Sequence, residues 1–342
     1  MLKTAANPYI MPAEWENHTA VWLAWPYDKI TFGSLNQPDN QLNPERLAKV
    51  EKEFIKILAA LENSEKINLI IRNKSQHSHI LQNVRMFEAD YADVWTRDYL
   101  PTFVKDIEGS LTAIKWNYNA YGEKFTGLIK DNKVWPEINK GLKIKTAEPG
   151  VLLEAGAIEV NGNGILITTE QCLLKRNPNL TKRDYEKIFT KYFGVSKVIW
   201  LKEGLINDHT DGHIDELARF VSPNKIVCAY EDNKEDENYQ ILEKNYRTLQ
   251  NSTDASGKPF EVIKLPMPHM TYDDRNKAPV SYVNFYIGNK VVLASTYKDT
   301  NDTEALEIIQ SCFPDKKIVP IDCSEIIYGG GAVHCMTQQQ PL

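Results

Sequence analysis

The amino-acid sequence predicts an α/β fold in which five ββαβ modules are set around a common axis, within one domain covering residues 1–342. Two observations carry that expectation. A pattern of two short strands, a helix and a third strand returns along the chain. Each such unit is also too small to bury a core of its own, which calls for a radial or stacked array of neighbours. A plain doubly wound sheet is the competing arrangement.

The unit is clearest at 157–201, where AIEV and GILITT flank a turn at Gly162–Gly164. LTKRDYEKIFTKYF then reads as a helix with Leu180, Ile188 and Tyr192 on its apolar side, and KVIWL as a strand. Thr181 suits its N-cap and Gly194 its stop. The pattern returns at 213–265, where HIDELARF and IVCAY meet at Ser222–Pro223–Asn224, before a helix near 236–250 and the strand EVIKL. It returns again at 281–321, with SYVNFYIG, VVLAST, a helix near 302–313 and KIVPI. Two looser copies precede these. One holds VWLAWP, a helix at 46–62 striped by Leu47, Val50, Phe54, Leu58 and Leu61, and INLIIR; the other spans LPTFV and LTAIKW.

Composition narrows the function classes. No apolar run approaches the roughly 18–20 residues of a membrane span, and the first twenty residues lack the apolar core of a secretory leader. Five cysteines without a C-x-x-C pair argue against a disulfide framework or zinc ribbon and for the reducing cytoplasm. A formal charge of −6 disfavours nucleic acid and mildly suits a cationic ligand.

In a radial array, the starts of the first strands converge on the axis. Four such places carry reactive side chains: Asp93–Asp98, Leu153–Gly156, Asn207–Asp215, and Gly329–Cys335. In a strand, His213 and Asp215 would share a face, and a carboxylate beside an imidazole keeps it charged to higher pH. Each place also has a plainer reading. Cys172, Cys228, Cys312 and Cys323 fit buried small hydrophobes. Asp93–Asp98 alone fits an ion-paired surface loop. Asp208–Asp215 could hold a metal through His209 and His213, but these share a face only on a helix, and Gly212 argues against one. Cys335 stands apart because three glycines precede it. Together the four places supply carboxylates, a histidine and a cysteine. That set suits a guanidinium, which carboxylates grip in a fork and a thiolate attacks at carbon while a histidine moves protons.

The same residues carry a family resemblance. MPAEWENHTAVWLAWP (11–26), VWTRDYLPTF (94–103), WNYNAYG (116–122), EAGAIEVNGNGILITTEQCLL (154–174), RNPNL (176–180), DHTDGHIDELARF (208–220), SYVNFYI (281–287) and GGGAVHCMTQQQP (329–341) run in order along the chain. They resemble the agmatine deiminases of the guanidino-group-modifying (pentein) superfamily. The resemblance implies a five-module ββαβ propeller around a central active site. Cys335 would be the nucleophile, His213 the general acid and base, and Asp98 and Asp215 the guanidinium ligands, with Glu154 orienting and balancing His213. It implies hydrolysis of agmatine through a covalent amidino-thioether, with no metal or organic cofactor. The substrate would be a small cationic guanidine, and the chain a possible homo-oligomer. An arginine or peptidyl-arginine deiminase and a non-catalytic guanidine sensor are the alternatives.

Two positions depart from the pattern. Ala155 stands where the family reads glycine in Glu-Gly-Gly, and Tyr121 where it reads tryptophan. An ammonium tail calls for aromatic or acidic neighbours, for which Trp95, Tyr121 and Glu14–Glu16 are the candidates. Arg97 is read as structural, because consecutive strand residues face opposite ways.

Overall fold

The computed structural model describes residues 9–27, 32, 44–74, 84–272 and 276–342. Residues 1–8, part of the stretch read as lacking a leader, lie outside the described residues. Five small sheets share one connectivity: an inner strand antiparallel to a second, a helix, and a third strand parallel to the second. The clearest runs Ile158–Val160, Ile165–Thr169, helix Lys182–Phe193 and Lys197–Leu201. The next has Ala218–Ser222, Lys225–Tyr230, helix Tyr239–Gln250 and Glu261–Pro266. The third has Tyr286–Ile287, Val291–Thr296, helix Asp302–Cys312 and Lys317–Asp322. These are the modules read at 157–201, 213–265 and 281–321.

The looser copies complete the ring. Thr102–Asp106, Leu111–Ile114, helix Val134–Leu142 and Lys145–Ala147 form one, edged by Tyr9–Ile10. In the other, His18–Ala24 is parallel to Lys66–Ile71 across helix Pro44–Leu61, and Val84–Glu88 adds an outer strand. Its inner strand comes from the far end of the chain: Gln338–Pro341 lies antiparallel to His18–Ala24.

Local chemistry accounts for the elements. The second strands are buried along their length, as strands covered on both faces must be. Helix Lys182–Phe193 begins at a reciprocal cap between Thr181 and Asp184 and stops at Gly194, whose φ of 71° only glycine takes readily. Its buried stripe is Tyr185, Phe189 and Phe193; Leu180, Ile188 and Tyr192, the expected apolar side, are half-buried beside it. On helix Pro44–Leu61 the stripe of Val50, Phe54, Leu58 and Leu61 is buried as read, with Leu47 at its edge.

Two expected strands are shorter. Of HIDELARF only Ala218, Arg219 and Phe220 are strand, within Ala218–Ser222; Ile214–Glu216 is a single 3-10 turn before it. Only Tyr286–Ile287 of SYVNFYIG pairs, because Ser281 Oγ accepts the Val283 N–H in a local turn.

The inner strands meet at a buried ionic seam. Arg219 pairs with Glu159 at 2.8 Å and with Glu14 at 2.8 Å, and donates to the Phe285 carbonyl at 2.6 Å, so one guanidinium ties three modules together. Among the described residues, no helix is long and apolar enough to cross a membrane.

Candidate active site

The four reactive places meet at one end of this seam. Asp98 sits on the helical turn Thr96–Tyr99, Glu154 just before the turn Ala155–Ala157, His213 and Asp215 around the turn Ile214–Glu216, and Cys335 in the turn before the closing strand. His213 and Asp215 therefore reach the site from a 3-10 turn, not from one face of a strand. Their meeting point is Gly156. A Cβ there would lie 2.5 Å from His213 Nδ1, 3.0 Å from Asp98 Oδ1 and 3.1 Å from Asp215 Oδ2. Gly156 is not at positive φ; the position needs glycine because three reactive groups fill the space of a side chain. Ala155, the departure from the family pattern, has ordinary φ and carries no such strain.

Asp98 is held on both oxygens, Oδ1 by the Gly156 N–H at 3.1 Å and Oδ2 by the Tyr121 hydroxyl at 2.9 Å. Burial pushes its carboxyl up to about 6, with the neighbouring Asp215 and Glu154 adding to the rise against the pull of His213. His213 Nδ1 lies 3.9 Å from Asp98 Oδ1, and its Nε2 lies 3.6 Å from Glu154 Oε2. Burial lowers His213, but Asp98, Cys172 and Glu154 outweigh it, so the imidazole stays protonated well above its usual range. Glu154 is fixed from behind: Arg176 Nε donates to both its oxygens, at 2.8 and 3.0 Å, and the rest of that guanidinium holds Asp211 and the Thr210 carbonyl.

Asp215 Oδ2 lies 2.7 Å from His334 Nδ1 and 3.8 Å from Cys335 Sγ. Burial raises the Asp215 carboxyl, but His334 and the charges of His213 and Arg219 bring it below the ordinary value. Cys335 goes the other way: burial, then Asp215, Glu216 and Asp98, push its thiol well above the usual thiol range. Gly331 packs against it, since a Cβ there would come within 3.1 Å of Cys335 Sγ and 3.0 Å of the Trp95 ring. Among the described residues, both ring nitrogens of His213, Asp215 Oδ1 and Glu216 Oε2 are buried without a hydrogen-bond partner. These orphaned groups outline a space for a ligand that both donates and accepts.

Tyr121 approaches that space through its hydroxyl on Asp98, and the Trp95 ring lies against Gly331 beside Cys335. Tyr121 lies in a left-handed run, Ala120–Glu123, pinned by Asn119, whose side chain accepts the Gly122 N–H at 2.9 Å; strain of this kind collects at functional sites. Glu14 does not join them as a tail-binding group. Its carboxylate is buried among Arg97 at 3.2 Å, Arg219 at 2.8 Å, His334 Nε2 at 2.8 Å and the Ile287 N–H, so it has no capacity left for a ligand. Glu16 accepts the Ala13 N–H instead. Arg97 is structural, held by Glu14, Gln339 and the His334 carbonyl, although it stands on a helical turn rather than a strand.

Several neighbours of the site carry little signal in the sequence. Arg176 is the last residue of the helix Glu170–Arg176, His334 is the residue before the cysteine, and Asn284 sits in a segment that reads as strand. Cys172 is buried as expected but lies beside His213 and Glu154, within 4.8 Å of their polar atoms. A second close trio is Asp215, Glu216 and Cys335. In the first trio Arg176 already occupies both Glu154 oxygens, which opposes a metal ion there. The metal alternative at Asp208–Asp215 does not assemble either. Asp208 closes its own loop through Thr210 and Gly212, and His209 is in neither trio.

The model of the Porphyromonas-type peptidyl-arginine deiminase family matches residues 10–341. The agmatine deiminase of Pseudomonas syringae pv. tomato is 35% identical, with 98% of this chain and 96% of that protein covered. The structure of the agmatine deiminase of Enterococcus faecalis superposes with a TM-score of 0.88 at 30% identity, covering 98% of this chain and 96% of that one. A substrate-bound cysteine-to-serine variant of the C. jejuni agmatine deiminase superposes at 0.86, with 28% identity over 97% of this chain and 96% of that one.

Proposed function

The chain belongs to the Porphyromonas-type peptidyl-arginine deiminase family, alongside the agmatine deiminases that it matches over nearly their whole length, and from that premise we propose that it hydrolyses agmatine to N-carbamoylputrescine and ammonia. The observation that carries the reading is the convergence of Asp98, His213 and Asp215 on the Cα of Gly156, with the Cys335 sulfur 3.8 Å from Asp215.

In the free site the thiol is protonated, because burial and three carboxylates oppose its ionisation. A guanidinium entering between Asp98 and Asp215 supplies the positive charge that offsets them, so substrate binding itself favours the thiolate; the thiol proton passes to solvent and returns to the sulfur when the product leaves. The sulfur bonds to the guanidinium carbon. His213, protonated beside Asp98 and Glu154, gives its proton to one nitrogen, the C–N bond breaks, and ammonia leaves. An amidino-thioether remains on Cys335. The neutral His213 then takes a proton from water as its oxygen bonds to the same carbon. The C–S bond breaks with its electron pair returning to sulfur. The hydroxyl proton departs to solvent as the ureido carbonyl forms, and the ammonia already released takes up a proton there as ammonium. Trp95 and Tyr121 flank the alkyl tail. No step calls for a metal or organic cofactor.

The choice of agmatine over arginine follows from charge. Burying an α-carboxylate without a cationic partner costs several kcal/mol. Among the described residues, the cations around the site are already paired: Arg97 and Arg219 with Glu14, and Arg176, Lys124 and Lys175 with Asp211. Five thiols without a disulfide suit a reducing compartment, and we place the enzyme in the cytoplasm. The test is release of ammonia and ureido product from agmatine, arginine and a peptidyl arginine side by side. Agmatine should lead arginine in kcat/KM by at least about 100-fold, or ~2.7 kcal/mol. Comparable efficiency, or a preference for peptidyl arginine, would overturn the substrate and leave the cysteine chemistry standing.

A further inference from the structure

We propose that Glu216 works as an uncharged acid, its proton shared with Asp215 beside the Cys335 sulfur, and that loss of this proton at alkaline pH switches the nucleophile off. The inference rests on the reading of Cys335 as the nucleophile. Glu216 ends the turn Ile214–Glu216, is buried, and follows Asp215 in the chain. Each of the two carboxyls has one oxygen held and one left over. Asp215 Oδ2 meets His334 Nδ1 at 2.7 Å, and Glu216 Oε1 accepts from the Asn284 amide at 2.9 Å. Among the described residues, Asp215 Oδ1 and Glu216 Oε2 are buried without a partner. An oxygen of each acid and the Cys335 sulfur lie within 4.8 Å of one another. One proton between the two acids satisfies both orphaned oxygens at once, which a pair of bare carboxylates cannot do.

The surroundings decide which acid keeps the proton. Asp215 faces the His334 imidazole directly, whereas the bond to Glu216 comes from a neutral amide. Around Glu216 stand Asp215 and His213 from its own turn, Asp208 from the loop before it, Asp98 and Cys335 across the site, and the Tyr272 and Tyr297 phenols. Of these only His213 brings a positive charge. Burial, then Asp215 and Asp208, hold the Glu216 carboxyl well above the usual carboxylate range, while Asp215 lies below it. Once Glu216 ionises, a second negative charge stands within 4.8 Å of the sulfur and opposes the thiolate. It is in this ionised form that Glu216 joins Asp215 and Asp98 in holding the free thiol up. A bound guanidinium carries a single charge, already divided between Asp98 and Asp215, so it leaves an ionised Glu216 unbalanced. Glu216 is thus a positioning residue, acting on the reaction through the charge at the sulfur.

The experiment uses the full chain with Glu216→Gln, which keeps an acceptor for Asn284 and a donor for Asp215 but cannot ionise, and with Cys335→Ser as control. Agmatine kcat/KM is followed across pH, beside thermal unfolding and the alkylation of Cys335 by iodoacetamide, a neutral probe, read by mass spectrometry. The alkaline fall of kcat/KM should move up by at least about one pH unit in Glu216→Gln. At one fixed alkaline pH its Cys335 should alkylate about tenfold faster than the parent's, because a negative charge beside the sulfur is gone. An alkaline fall or an alkylation rate equal to the parent's overturns the proposal; a merely structural glutamate would give that result with a lower melting temperature. KM at neutral pH should rise less than about tenfold. A larger rise also overturns the proposal, since Glu216 would then be an ionised ligand of the guanidinium. Should Glu216→Gln not fold, infrared spectroscopy of the parent carrying isotope-labelled glutamate answers instead. A protonated glutamic acid band present at neutral pH must fade over the range in which turnover falls, and its absence overturns the proposal equally. Full turnover by Cys335→Ser would instead overturn the nucleophile itself.

Discussion

Gly156→Ala is the smallest change that should disable the site. The added methyl carbon would stand 2.5 Å from His213 Nδ1, and ordinary contact begins near 3.4 Å. Something must therefore move by about 0.9 Å. The neighbouring contacts, 3.0 Å to Asp98 Oδ1 and 3.1 Å to Asp215 Oδ2, leave the imidazole little room to retreat. Asp98 is also bonded to the Gly156 N–H, so a shift of the glycine backbone would carry the carboxylate with it. A misplacement of roughly 1 Å in a positioned reactive group costs about 100-fold in rate, and overpacking of this kind costs about 1–3 kcal/mol in stability. Ala155→Gly, one residue away, is the control. It removes a buried methyl worth about 0.8 kcal/mol and adds unfolded-state freedom worth about 0.4–1 kcal/mol, because Ala155 has ordinary φ. It should lower the melting temperature and leave the kinetics alone. Agmatine kcat/KM and thermal unfolding of the two variants are the assay. A Gly156→Ala enzyme at the parental rate, or a large change in the chemical rate of Ala155→Gly, would refute the reasoning.

Cys335→Ser should keep the fold and lose turnover by several orders of magnitude, while alkylation of Cys323 should leave activity intact; inactivation through Cys323 would count against the assignment. The pH dependence of binding follows from Asp98. Its carboxyl holds a proton up to about 6 in the folded enzyme, against about 3.8 in the unfolded chain, so the stability it contributes falls as pH rises through that window. The guanidinium complex needs the ionised form, so KM should rise about tenfold per pH unit below 6 and level off above it. A pH–KM profile checks this, and Asp98→Asn should weaken binding and flatten the profile. Glu14→Gln should destabilise the fold by about 3–5 kcal/mol by leaving Arg97 and Arg219 short of a counter-charge, with the agmatine-to-arginine preference unchanged. Chemical denaturation and the two kcat/KM values decide it, and a collapse of the preference would return Glu14 to the substrate's tail.

The modules at 157–201, 213–265 and 281–321 were legible because their signals are local: buried second strands, amphipathic helices, and glycines or prolines at the turns. The inner strand of the module around His18–Ala24 was not, because it is Gln338–Pro341, from the far end of the chain, and nothing near His18–Ala24 in sequence marks it. The same limit explains the site. Cys335, His213, Asp98, Asp215 and Glu154 stand out by residue type and lie together. Arg176, His334 and Asn284 act through partners supplied by other modules, and no spacing rule reaches that far. Glu14 was misjudged because an acidic residue near the start of a chain looks available, whereas burial beside two arginines spends its charge inside the fold. His213 and Asp215 do lie together, but by a different route from the one the sequence suggests. Alternation along a strand suggested a shared face, and a turn delivers them.

The strand that shuts the ring lies three residues beyond Cys335. Its register with His18–Ala24 joins segments separated by most of the chain, and contacts of such long sequence separation form late. The turn holding the sulfur has no fixed place until that pairing exists, because Arg97 reaches the His334 carbonyl and Thr96 the Met336 carbonyl only across the closed ring. Catalytic competence therefore reports topological completion. A refolding chain should recover its helical signal well before its activity, and the interval between them measures the time the last blade takes to find the first.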